Sequence, residues 1–268
     1  MGSLSFIKIG GSVITDIRVT TRGIALESAL SGIFSEIKSS RLEGKLIIGH
    51  GVGSFAHVPA KKFRTTEGNS GRRSILGASI TQHSALELHD IVIRKAIASG
   101  LPAFSFSPSS AALARGRTIC EWDTSPIKEA LAQGFVPITH GDVVADSVQG
   151  FSVASTEEVF SYLAAELKPG RIVIGTDVDG IFDDDPKSNP DASLIEEVNR
   201  HNIAEITRYA KGSRKVDVTG GMRSKLEYLY NISMKTGAEC IIINAKRKGR
   251  VRSALLGMKV IGTKINAN

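Results

Sequence analysis

Short apolar runs rich in Ile and Val recur along this chain, and stretches with helical patterning separate them. The runs are Leu4–Ile9, Lys45–Ile48, Ala103–Phe106, Val136–Thr139, Arg171–Ile174, Cys240–Asn244 and Val260–Ile265. Their apolar character is continuous rather than alternating, as in strands buried on both faces of a parallel sheet. Residues 22–39 carry Ile24, Leu26, Leu30, Ile33, Phe34 and Ile37 at helical spacing. Further helical patterns fall at 72–99, with a break or bend expected at Gly77, and at 155–167 and 220–236. This rhythm predicts an α/β fold: a three-layer αβα sandwich with a mainly parallel central sheet. Lys168-Pro169-Gly170 marks a lobe boundary, dividing the chain into 1–168 and 169–268 on one continuous sheet.

Composition removes several classes of function. No apolar run approaches the roughly 20 residues needed to span a membrane, and the first residues lead into a strand without a signal-peptide pattern. Cys120 and Cys240 lie far apart without metal-ligand spacing. They read as free, buried thiols of a cytoplasmic protein. The net charge of +7 suits a polyanionic small substrate. Its basic residues are scattered and aromatics are only 6%, which argues against a nucleic-acid binder. The dense basic segment Lys246–Arg252 reads as a solvated turn and the start of a helix.

Ligands of such sheets sit at the carboxyl ends of the strands, and glycine turns fall there at Gly10-Gly11, Gly51–Gly53 and Gly180. In Lys8-Ile9-Gly10-Gly11-Ser12-Val13-Ile14-Thr15, a lysine beside a Gly-Gly turn can reach a phosphoryl group held by backbone amides. In His50-Gly51-Val52-Gly53-Ser54-Phe55-Ala56-His57, glycines let amides approach a ligand, and His57 adds a donor that can carry charge. His50, at the strand end, reads as structural. His140-Gly141-Asp142-Val143-Val144 is either a wall of an acceptor pocket or a turn with an Asx cap. Gly175-Thr176-Asp177-Val178-Asp179-Gly180-Ile181-Phe182, continuing to Lys187, has the wrong spacing for a calcium loop and reads as a nucleotide contact. In Asp217-Val218-Thr219-Gly220-Gly221-Met222-Arg223-Ser224-Lys225, glycines open a helix whose N-terminus favours anions, with Lys225 in its second turn. No Walker A motif is present, and no metal site held by protein side chains is expected.

Taken in order, these motifs resemble the amino acid kinase superfamily, and within it the branch that phosphorylates isopentenyl phosphate. The resemblance runs from Phe6 to about Ile265. It implies ATP as donor, Mg²⁺ riding on the phosphates, a small phosphate as acceptor and a homodimeric assembly. Lys8 and Lys225 would neutralise the β- and γ-phosphates. Gly10, Gly11 and Gly51–Gly53 would surround the transferring group, and Gly10, Gly11 and Ser12 would also contact the nucleotide. His57 would bind the acceptor phosphate, with Val52, Ala56, Gly141 and Asp142 around it. Thr176, Asp177, Gly180, Phe182 and Gly221 would hold the nucleotide.

This chain departs from that pattern in four places. Val52 and Ala56 stand where the superfamily branch has glycines, Ile17 where it has a lysine, and Glu157 where a helix-opening aspartate orients the catalytic lysines. Glu158 is a neighbouring candidate for the same acid. Ile75, Leu76, Ala78 and Ile80 read either as a pocket for a prenyl tail or as helix core. Two other readings stay open: a kinase for another small phosphate or a phosphonate such as fosfomycin, and a non-catalytic nucleotide sensor on the same fold.

Overall fold

The central sheet is built from β1 (Ser5–Ile9), β2 (Leu46–His50), β3 (Ala103–Ser105), β6 (Val136–His140), β9 (Arg171–Thr176), β12 (Glu197–Val198), β13 (Glu239–Asn244) and β14 (Gly262–Ile265). The structure, a computed structural model, describes residues 3–16, 23–186, 188–209 and 221–267. The strands lie in the order β12-β14-β13-β9-β1-β2-β6-β3, and only the β13–β14 pair is antiparallel. A second sheet, in the order β5-β4-β7-β8, joins β4 (Leu113–Arg115), β5 (Thr118–Glu121), β7 (Asp142–Asp146) and β8 (Gly150–Ala154). A small hairpin pairs β10 (Ile181–Phe182) with β11 (Leu194–Ile195).

Helices cover both faces of the central sheet, as expected for buried parallel strands. One face packs α1 (Gly11–Ile14), α2 (Glu27–Ser40), α3 (Gly53–Phe63), α4 (Arg72–Ala98) and α9 (Arg250–Leu255) against Ile7, Ile9, Val173, Ile241 and Ile243. The other packs α5 (Ser125–Ala132), α6 (Thr156–Leu167), α7 (Ile203–Tyr209) and α8 (Gly221–Thr236) against Phe6, Ile172, Ile174 and Ile242. The two-residue alternation of a strand decides which side chain meets which helix. Lys8 lies two residues from Phe6, so it faces the α6–α8 side.

Several expectations need correction. The His50–His57 run is a loop only at Gly51-Val52; Gly53, at φ +48, makes the turn and opens α3. The sequence signal was hidden because Pro59 lies inside that helix. α4 runs unbroken through Gly77. The absent side chain serves packing instead: a Cβ there would lie 2.3 Å from Phe63 Cβ of α3. Around it Ser74, Ala78, Thr81 and Ala85 form the buried stripe of α4. Ile75, Leu76 and Ile80 fall off that stripe and are 50%, 59% and 37% exposed, so the helix-core reading holds for Ala78 alone. Cys240 is buried as expected, whereas Cys120 is exposed on the edge strand β5.

Candidate active site

The first two glycine turns meet back to back at the carboxyl ends of β1 and β2. The Gly10 amide donates to Gly175 O at 2.8 Å, and the Gly51 amide donates to Ile9 O at 2.9 Å. A Cβ on Gly11 would stand 2.5 Å from Gly53 N, and one on Gly51 would stand 2.7 Å from Gly11 N. Only glycine permits this approach of backbone to backbone. Thr15 clamps the two turns together, its hydroxyl donating to Gly11 O at 2.8 Å and accepting from the Ser54 amide at 3.2 Å. Among the described residues, no carbonyl accepts from the amides of Gly11, Ser12, Val52 or Gly53. Such clustered donors form a concavity suited to a phosphate. Val52, at φ −88 and ψ −10, holds a conformation open to any L-residue, and Ala56 is buried inside α3. Neither replaced glycine strains the turn.

Below this cradle Lys8 and Glu157 form an ion pair, with Lys8 5% and Glu157 7% exposed. Burial pushes the Glu157 carboxyl up. The charges of Lys8 and Lys225, with the hydrogen bond from Lys8, outweigh it and hold the group below the usual carboxylate range. The packing of α6 on α8 thus brings Lys8, Glu157 and Lys225 into one electrostatic unit. Ser155 caps α6 by accepting from the Glu158 amide at 3.1 Å, which starts the helix where its first acid reaches β1. Glu158 points elsewhere. Its carboxylate accepts from the Ile119 amide at 3.0 Å and faces Tyr228, whose hydroxyl is pushed up to about 12 by burial and then by that carboxylate. Between the two candidate acids, Glu157 is therefore the one beside the lysines, despite its extra methylene.

His57 lies half-buried in the second turn of α3, four residues beyond Gly53. The Gly141 amide donates to His50 O at 3.2 Å, which joins the third motif to the turn after β2. Asp142 follows Gly141 in the same motif. It opens β7, is 3% exposed, and accepts from the Ser109 amide at 3.0 Å and the Val143 amide at 2.8 Å. Both carboxylate oxygens are thus engaged by backbone amides.

The β9 loop carries the remaining motif. The Ser12 hydroxyl donates to Asp177 Oδ1 at 3.1 Å, linking this loop to the first turn. The Thr176 hydroxyl is buried and donates to Val178 O at 2.9 Å, so it holds the loop's shape. A Cβ on Gly180 would stand 2.4 Å from Thr263 Oγ1, which also accepts from the Ile181 amide. Phe182 is half-buried and pairs with Leu194 in the small hairpin. Gly221 opens α8, while Ile17, Lys187 and Asp217–Gly220 lie outside the described residues. Residues missed from sequence complete this side. Asn244 and Arg250 donate to Asp179 Oδ1 at 2.9 and 2.7 Å. Burial pushes the Asp179 carboxyl up, but these partners hold it below the usual range. Nothing in the spacing announces these contacts, which span 65 and 71 residues.

Comparison with known proteins agrees with this fold. The amino acid kinase family model matches residues 4–244. The isopentenyl phosphate kinase of Methanothermobacter thermautotrophicus is 37% identical over 97% of both chains. That of Methanocaldococcus jannaschii is 32% identical over 98% of both. A solved isopentenyl phosphate kinase structure superposes with a TM-score of 0.85 at 33% identity, covering 98% of this chain and 100% of that one. The chain belongs to the amino acid kinase family, in its isopentenyl phosphate kinase branch.

Proposed function

We propose that this protein transfers the γ-phosphoryl group of MgATP to the phosphate of isopentenyl phosphate, giving isopentenyl diphosphate and ADP. The observation that carries the reading is the Lys8–Glu157–Lys225 unit beneath the paired glycine turns. An acceptor phosphate is already an oxyanion near neutral pH, so its oxygen attacks the γ-phosphorus without a strong base. The bond to the β-bridging oxygen breaks as the new one forms. Charge on the moving group and the leaving ADP is met by the two lysines, while amides of the turns cradle the equatorial oxygens. Glu157 holds both lysines aimed at that group. His57 donates to the acceptor's own phosphate.

In this reading the segment 1–168 holds the acceptor, and 169–268, through Asp177, Gly180 and the start of α8, holds the nucleotide. Mg²⁺ would be brought in on the phosphates of ATP and would supply charge neutralisation there, as suits a small hard ion. The exposed apolar side chains of Ile75, Leu76 and Ile80 on α4 support a homodimer. No described helix is long and apolar enough to cross a membrane, and the assignment to the cytoplasm rests on the sequence reading.

An acceptor panel with purified protein tests the function by coupled release of ADP. Isopentenyl phosphate is expected to turn over faster than other alkyl monophosphates and faster than a phosphonate such as fosfomycin. Preference for the phosphonate would replace the acceptor but keep the chemistry. Tight ATP binding with no acceptor phosphorylated would favour the sensor. In the His57→Ala variant, KM for the acceptor rises and the affinity for ATP is kept; equal losses would remove His57 from its role.

A further inference from the structure

Directly behind the acceptor turn, three histidines pack ring against ring. His50 ends β2, His140 ends β6 in register with it, and His89 comes from the middle of α4. The ring centroids of His89 lie 5.2 Å from His50 and 4.3 Å from His140, and all three side chains are buried. Phosphoryl transfer as derived above uses none of them.

Their hydrogen bonds have one consistent direction. His50 Nδ1 lies 3.2 Å from the Gly51 carbonyl oxygen, which can only accept, so that nitrogen carries the proton. Burial, then the neighbouring His140, pushes the His50 ring down to about 3 and keeps it neutral near pH 7. Its Nε2 is thus a bare acceptor, and His89 Nδ1 donates to it at 2.9 Å. His89 is held neutral in the same way, so its Nε2 accepts from the Ser105 hydroxyl at 2.7 Å. Donation runs from Ser105 through His89 and His50 to Gly51 O. His140 repeats the last step, with Nδ1 donating to Gly141 O at 2.8 Å and Nε2 accepting from Ser107 at 3.2 Å.

The Gly51 carbonyl is one end of the peptide unit whose other end is the Val52 amide. In a trans peptide the two point in opposite directions, and among the described residues no peptide bond is cis. Drawing the carbonyl toward the buried rings turns the Val52 N–H away from them. We propose that His50 and His89 are positioning residues for phosphoryl transfer: their ordered donor chain fixes the Gly51-Val52 peptide so that its amide faces the phosphate cradle. The role rests on the functional reading above, and it explains why a histidine, with a donor and an acceptor on opposite ring edges, ends β2.

Two substitutions at one position separate positioning from packing. In His50→Asn an amide nitrogen can occupy the place of Nδ1 and donate to Gly51 O. In His50→Gln the amide reaches only the Nε2 position. With isopentenyl phosphate and ATP, His50→Asn is expected to keep kcat/KM for the acceptor within about threefold of the parent protein, and His50→Gln to lose about tenfold or more, the scale of one orienting hydrogen bond. Equal losses in the two variants would overturn the proposal. Nitrogen-15 NMR of the unaltered protein decides the matter even where a variant does not fold. His50 and His89 are expected as Nδ1–H tautomers at pH 7, and an Nε2–H tautomer at His50 would overturn the donor chain. Failure of the unaltered protein to phosphorylate isopentenyl phosphate would instead sink the functional reading, while the tautomers would still report on the chain.

Discussion

Lys8 of β1 and Glu157 of α6 form an ion pair out of contact with bulk water, joining the strand that carries the first glycine turn to the helix opposite it. Taking two charges out of water is costly, and their attraction repays it only with good geometry and further partners. Lys225 is the further partner, lowering the carboxyl together with Lys8. A triad with two cations and one anion has a net positive charge, which an incoming triphosphate would neutralise.

Removing Glu157 takes its carboxylate away from the buried Lys8 and the half-buried Lys225. Glu157→Ala is expected to cost about 3–5 kcal/mol of folding stability and to abolish measurable turnover. The double variant Lys8→Met/Glu157→Leu replaces the pair by apolar groups of similar size. It is expected to recover most of that stability without recovering activity. Urea denaturation and ADP release measure the two effects separately; a stable, inactive double variant is the outcome that assigns the pair to chemistry rather than to the fold.

Val52 and Ala56 set this chain apart from the glycine-richer loops of the family branch it resembles. Val52 has φ −88, and Ala56 sits within α3 with 3% exposure. Glycine at either place gains no conformational relief and widens the unfolded ensemble. Val52→Gly and Ala56→Gly are each expected to destabilise the protein by about 0.5–1 kcal/mol. Thermal denaturation checks this, and kcat/KM for isopentenyl phosphate is expected not to improve in either variant.

The central sheet was legible because its strands are continuous apolar runs, and the site was legible because glycine, lysine and histidine mark the strand ends. Three features were not. The second sheet consists of short strands such as Leu113–Arg115, which carry no periodicity long enough to read. The start of α3 was concealed by Gly53 and Pro59, residues that ordinarily argue against a helix. The contacts of Asp142, Asp179 and Glu158 depend on partners 33, 71 and 39 residues away. Such pairings follow from the topology of the sheets, which residue spacing does not encode. The choice between Glu157 and Glu158 shows the limit well: the residues are adjacent, and only the rotation of α6 on β1 distinguishes them.

The contact between the two turns gives a sharper test of the cradle. A Cβ on Gly11 would meet Gly53 N at 2.5 Å and Gly53 Cα at 2.6 Å, both backbone atoms that cannot turn aside. Gly11→Ala must therefore push the β1 and β2 turns apart and open the Thr15 clamp between them. The expected result is loss of turnover together with weaker binding of ATP and acceptor alike, read by calorimetry with each ligand. A loss confined to one ligand would mean that the turns serve separate sites.

The histidine cluster makes folding stability depend on acid. Burial lowers His50 from 6.5 to about 3, and it lowers His89 and His140 as well. An unfolded chain takes up these protons near pH 6.5, whereas the folded chain refuses them until the pH is much lower. Over that interval the unfolded state binds more protons, so stability rises with pH and is complete above about 6.5. On acidification it falls, by up to about 1.4 kcal/mol per pH unit for each imidazole kept neutral. Glu157 acts in the same direction in a lower window: its carboxyl is held below 4.5, so the stability of its ion pair is lost as pH falls through the folded value. Urea denaturation at pH 7, 6 and 5 is expected to show a progressive loss. Relative to the parent protein, His89→Gln has one titrating imidazole fewer, and its profile is expected to be shallower by as much as one proton. Identical slopes would mean that His89 is not held neutral by the fold.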